Sequence, residues 1–145
     1  MNKNTTILKW LLFAGAIYFL AVSIAHLLGF KVPLLFIYYN VPSYEYQDRI
    51  ISFLTFGWSV FLFSASRDPA KNQSAIKAIL IAGLAAVFGL QMINSTTDFS
   101  ILSSDIHPSV FAMETFGLTI YVGGLIFFYF LSTRSSVSDY KGQLK

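Results

Sequence analysis

Four stretches of the chain lack the polar positions that a water-facing helix or strand must show at regular intervals. They cover residues 7–28, 50–66, 75–93 and 108–131, and each is apolar on nearly every side. The first reads ILKWLLFAGAIYFLAVSIAHLL, interrupted only by Lys9 and His26. At 1.5 Å per residue it makes a helix of roughly 33 Å, enough to cross a hydrocarbon core of about 30 Å. Lys9 and Trp10 stand where a snorkelling amine and an interfacial indole belong. Residues 50–66 are at the short end of the spanning range, and that helix can begin a turn earlier, near Tyr46. The third run holds Lys77 near its start, and the fourth opens on Pro108, which suits a first helical turn. The pattern predicts an all-α, integral membrane, antiparallel four-helix bundle in one domain over residues 1–131, followed by a polar, mobile cytoplasmic tail over 132–145.

Composition sharpens that picture. The 145 residues are 55% hydrophobic and 12% charged, with mean hydropathy +0.62. A soluble domain carries about 25% charged residues to cover its surface. This chain has half that share, so lipid is the better solvent for its exterior. The absence of cysteine excludes disulfides, thiolate metal sites and cysteine nucleophiles.

A net charge of +3 would suggest nucleic acid in a soluble protein, but here the cations sit at the ends of apolar runs. Lys3, Lys9, Arg67, Lys71, Lys77, Arg134, Lys141 and Lys145 fall on one side of a four-span topology. Only Lys31 and Arg49 fall on the other. The positive-inside rule then places both termini in the cytoplasm, N-in and C-in, in a multi-pass protein of an inner (plasma) membrane. A rival reading is a signal peptide cut after Ala25, at the small-x-small triplet Ser23-Ile24-Ala25. The apolar run continues past that point to Leu28, which favours an uncleaved span.

Close packing in lipid relies on small residues. Ala78, Ala82 and Ala86 recur every fourth position in the third run, with Ala85 and Gly89 beside them. Ala21 and Ala25 repeat in the first, Gly57 and several serines lie in the second, and Gly117, Gly123 and Gly124 lie in the fourth. These are the expected contact faces, and the short link between the second and third runs predicts neighbouring helices.

The polar residues that need an explanation gather at the end opposite the cation-rich side. Residues 31–49 contain Tyr38, Tyr39, Tyr44 and Tyr46. Leu34, Leu35, Tyr38 and Val41 have helical spacing between Pro33 and Pro42, so the segment reads as a short interfacial helix or an aromatic loop. It serves either as an interfacial anchor or as a lid over a ligand. The topology brings His26, Arg49, Gln91, Asn94, His107 and Glu114 toward it. Glu114 falls about six residues into its helix, roughly 9 Å below the start. An ionisable group at that depth needs a partner or a function. An ion pair with Arg49 is one solution. A small polar cavity shared with His26, Gln91 and Asn94, covered by Tyr38 and Tyr39, is the other.

Two histidines admit bis-imidazole haem ligation in a membrane bundle, but His107 lies at a helix boundary and no metal-binding spacing is present. No phosphate loop, dinucleotide fingerprint, HExxH or hydrolase triad can be read. Asp48-Arg49 leading into an aromatic helix with Gly57, a small-residue third helix, and Pro108-Ser109 followed by Glu114 together resemble the small four-helix bacterial membrane proteins of the DoxX-like group. The resemblance covers mainly residues 48–131. It implies at most an accessory role, in some members linked to quinone-dependent oxidation of sulfur compounds. The leading expectation is a non-catalytic accessory protein that binds a small ligand or a partner subunit at the bundle's outer end. The candidate contacts are His26, Tyr38, Tyr39, Arg49, Gln91, Asn94, His107 and Glu114. A quinone-linked redox accessory subunit is the alternative, and an oligomeric pore or transporter is a third. Cofactor identity stays open between haem, quinone and none. The expected partners are the lipid bilayer, a second copy or a membrane subunit, with no nucleic acid.

Overall fold

The computed structural model describes residues 2–30, 45–98 and 108–143. Among the described residues there are four α-helices and no strands: α1 Lys3–Leu28, α2 Glu45–Arg67, α3 Gln73–Thr96 and α4 Pro108–Gln143. The chain is a helical bundle. Several of the helix ends have a local reason. Asn2 caps α1 by accepting the Asn4 N–H at 3.0 Å. Gly29, at φ 70°, closes α1: its N–H reaches the His26 carbonyl, and the Phe30 N–H reaches Ala25 at 2.8 Å. That left-handed turn favours a residue without Cβ. Helix α2 begins at Glu45, a turn ahead of the apolar run, and stops at Arg67, two residues before Pro69. Asn72 donates to the Ser64 and Asp68 carbonyls at 3.1 and 3.0 Å and so finishes α2, while its own carbonyl accepts the Ile76 N–H at 3.0 Å at the start of α3. Helix α4 does not end at Leu131 as expected. It continues to Gln143, because Ser, Thr, Arg and Lys after the apolar stretch interrupt its greasiness but not its backbone pattern, and no proline or glycine stands between Leu131 and Gly142.

The core lies in one half of the bundle. Leu8, Leu12 and Ala16 of α1, Leu62 and Ala65 of α2, Ile76, Ile79 and Leu80 of α3, and Leu125 and Tyr129 of α4 form one buried cluster. Helices α1 and α2 share the most extensive interface, and α4 packs against both α1 and α3. The α1–α2 seam runs through serines. Ser52, Ser59 and Ser66 recur at every seventh position of α2, and all three are buried. Ser59 donates to the Ala16 carbonyl at 2.8 Å, and Ser23 donates to the Ser52 carbonyl at 2.9 Å. Small side chains let the backbones approach, and each cross-helix bond contributes about 0.6 kcal/mol in a membrane setting.

Of the expected small residues, Ala25 of α1 and Ser52, Ser59 and Ser66 of α2 are buried, but the faces expected on α3 and α4 are not the ones used. Ala78, Ala85 and Ala86 are exposed, and a Cβ added at Gly57, Gly89, Gly117, Gly123 or Gly124 would meet nothing within 4 Å. Helix α3 instead turns Ile76, Ile79 and Leu80 inward, since aliphatic bulk fills the space beside Leu125. Despite their short link, α2 and α3 touch little compared with α1 and α2. Close approach occurs at two other glycines. A Cβ on Gly15 would collide with the Tyr121 hydroxyl, and one on Gly83 would lie 3.1 Å from Val122.

Outside the core the helices are greasy. Phe53, Phe88 and Ile81 are about two-thirds or more exposed (68%, 72% and 69%), with many other large apolar side chains. All four helices are long and apolar enough to cross a membrane.

Candidate functional site

The other half of the bundle is built differently. Moving from the Leu8 end toward the end of α1, α1–α2 contacts pass from Ala16–Ser59 to Ser23–Ser52 and then to His26–Asp48. His26 is buried, and its Nδ1 lies 3.1 Å from Asp48 Oδ1. The pair ties the last turn of α1 to the first turn of α2, where Asp48 also suits the positive end of the helix dipole. Across the bundle, Asn94 of α3 donates to Thr115 Oγ1 at 2.8 Å and to the Phe111 carbonyl at 3.3 Å. Thr115 in turn donates to Phe111 at 2.9 Å, so a buried hydroxyl is used in both directions.

Glu114 stands beside Thr115 in this half. Both of its carboxyl oxygens are shielded from the surface, and neither has a hydrogen-bond partner among the described residues. Tyr18 of α1 lies within electrostatic reach of it. Seven residues further along α4, roughly 10 Å by helical rise, the Tyr121 hydroxyl donates to the Leu11 carbonyl at 3.1 Å and pins α4 to α1. Glu114 is therefore held at a fixed depth by two structural hydrogen-bond sets, Tyr121 below and Asn94–Thr115 beside it. An unsatisfied buried polar group costs about 1–3 kcal/mol. Its oxygens can take an amine, amide or hydroxyl hydrogen from an added molecule.

The ion pair of Glu114 with Arg49 is not formed. Arg49 pairs with Glu45, one turn away on the same helix, and both side chains are largely exposed. An i,i+4 partner in polar surroundings asks less of a long cation than reaching into the bundle. Of the expected contacts, His26, Asn94 and Glu114 lie on the inner faces of this half, while Gln91 and Arg49 are exposed. Tyr38, Tyr39 and His107, with the whole 33–41 segment, lie outside the described residues. No family model, curated protein or solved structure matches the chain. The site must be read from its own chemistry.

Asp48, Tyr18, Ser23, Ser52 and Thr115 are absent from the contacts expected from the sequence, although Asp48 and Ser23 stand out there for other reasons. For Asp48 the signal was an acidic residue in the first turn of a helix whose neighbour ends in histidine. Among the described residues no three His, Cys, Asp or Glu side chains gather to hold a metal ion.

Proposed function

We propose that this chain is a multi-pass protein of the inner (plasma) membrane that binds a small hydrophobic molecule or a partner subunit through Glu114, without catalysing a reaction itself. In this reading the four helices cross as an antiparallel bundle with both chain ends in the cytoplasm. Four span-length helices and the run of contacts 16 with 59, 23 with 52 and 26 with 48 support it. So does the bias of cations toward the Leu8 end. The accessory role fits the DoxX-like resemblance. The carrying observation is the shielded carboxyl of Glu114, unpartnered among the described residues, in a half of the bundle where the other buried polar groups serve helix contacts.

Native mass spectrometry of protein purified from its own membrane tests the reading. Wild type is expected to retain a bound molecule or subunit, and Glu114→Leu to lose it while still folding, since the leucine replaces no hydrogen bond seen among the described residues. Glu114→Gln should retain it in part, because an amide still pairs. Equal retention by wild type and Glu114→Leu, or nothing bound to either, would overturn the assignment. A retained quinone would move the role to a redox accessory subunit.

A further inference from the structure

Near the Leu8 end, α4 carries a shallow groove of about 470 Å³ lined by Gly123, Ile126, Phe127, Phe130, Leu131 and Arg134. That is within the size range of sites that hold small molecules, ~300–1,000 Å³. The lining follows the i, i+3, i+4, i+7, i+8, i+11 pattern of one helix face. From Gly123 to Arg134 it extends roughly 16 Å along the axis, about half the thickness of a hydrocarbon core. Gly123 leaves the floor open, since a Cβ there would meet nothing within 4 Å, and exposed Phe127 and Phe130 line the groove.

Arg134 closes the lower end. It is exposed, and no acidic side chain of residues 2–30, 45–98 or 109–134 pairs with it. Of the other cations near that end, Lys71 pairs with Asp68 at 3.3 Å and Arg67 lies over the Phe63 ring at 5.8 Å, whereas Lys3, Lys9 and Lys77 pair with no acid among the described residues and border no such furrow. An apolar furrow one leaflet long, ending in a guanidinium at the depth of the headgroups, matches one kind of occupant. We infer that this face of α4 is a binding site for an anionic phospholipid of the cytoplasmic leaflet, with one acyl chain along Phe127 and Phe130 and the phosphate at Arg134. A planar guanidinium suits phosphate oxygens well.

A second copy of the chain fits less well. Copies in one membrane share an orientation, so a two-fold contact through this face sets Arg134 beside Arg134. Lipid brings the opposite charge and copy brings the same one.

This inference rests on the membrane reading but not on Glu114. Detergent-purified protein is titrated with phosphatidylglycerol and with phosphatidylcholine of identical acyl chains, and bound lipid is counted by native mass spectrometry. One arginine beside an anionic headgroup supports a preference of about fivefold for phosphatidylglycerol. Arg134→Gln should abolish that preference and leave phosphatidylcholine binding unchanged. Gly123→Leu should weaken both lipids by filling the floor, and it is expected to fold because nothing crowds that position. Equal binding of the two lipids to wild type, or a preference that survives Arg134→Gln, overturns the site. So does efficient disulfide formation between copies carrying Phe127→Cys, which the natural chain's lack of cysteine makes easy to read. Protein that needs detergent yet shows no lipid preference defeats the lipid site alone. Protein that stays in solution without detergent defeats the membrane reading.

Discussion

At the scale of single residues, small differences in surroundings give chemically identical positions opposite roles. Gly15 and Gly123 are both helical glycines in apolar runs, yet only Gly15 faces a neighbour. Gly15→Ala forces Tyr121 aside and breaks its bond to the Leu11 carbonyl, so thermal melting in detergent should show a loss of about 1–3 kcal/mol. Gly123→Ala should be neutral or stabilising by roughly 0.5–1 kcal/mol. Adding Tyr121→Phe to Gly15→Ala removes the colliding hydroxyl, and the double variant should lose less than the two single losses summed. The buried His26–Asp48 contact makes a parallel prediction. In a double-mutant cycle of His26→Ala and Asp48→Ala, the coupling should be about 0.5–3 kcal/mol, and zero coupling would show that the pair holds nothing. Residue roles of this kind were only partly legible in the sequence. Glu114 was visible because charge is scarce at that depth, whereas the choice of Arg49 for Glu45 depended on which partner lay within reach on its own helix.

At the scale of the helices, what could be read and what could not have one physical cause. Lipid demands long apolar runs, so the existence of four helices was plain in the sequence. Lipid also makes the outer and inner faces equally greasy, and the pattern that marks a core face in water is then lost. Helix α1 buries Leu8 and Leu12 but exposes Ile17, Ile24 and Leu27, and nothing in residue type separates the two groups. The alanines of α3 pointed to a seam that is not used, while the serines at 52, 59 and 66 marked the real one by their seven-residue interval. Substitutions along α2 test this directly. Ser59→Leu should disrupt the α1–α2 contact by roughly 1–3 kcal/mol through overpacking, read as a lowered melting point or loss of extractable monomer. Gly57→Leu, two positions away and facing open space, should fold normally. Equal tolerance of both would remove the serine seam from the account.

At the scale of the whole molecule, the two halves of the bundle divide the work. The Leu8 end is an aliphatic core that holds the helices together, next to most of the cations. The His26 end carries the polar pairs and the Glu114 carboxyl, which has no hydrogen-bond partner among the described residues. On the proposed reading, stability and binding are separated along the helix axes, so variants at Glu114 are expected to alter what is bound without unfolding the protein. That division has meaning only if the chain crosses the membrane four times in the stated order. Reporter tags inserted after Asn72 and after Ser103 measure it most directly. The account predicts the first tag in the cytoplasm and the second on the opposite side, and finding both on one side would contradict it.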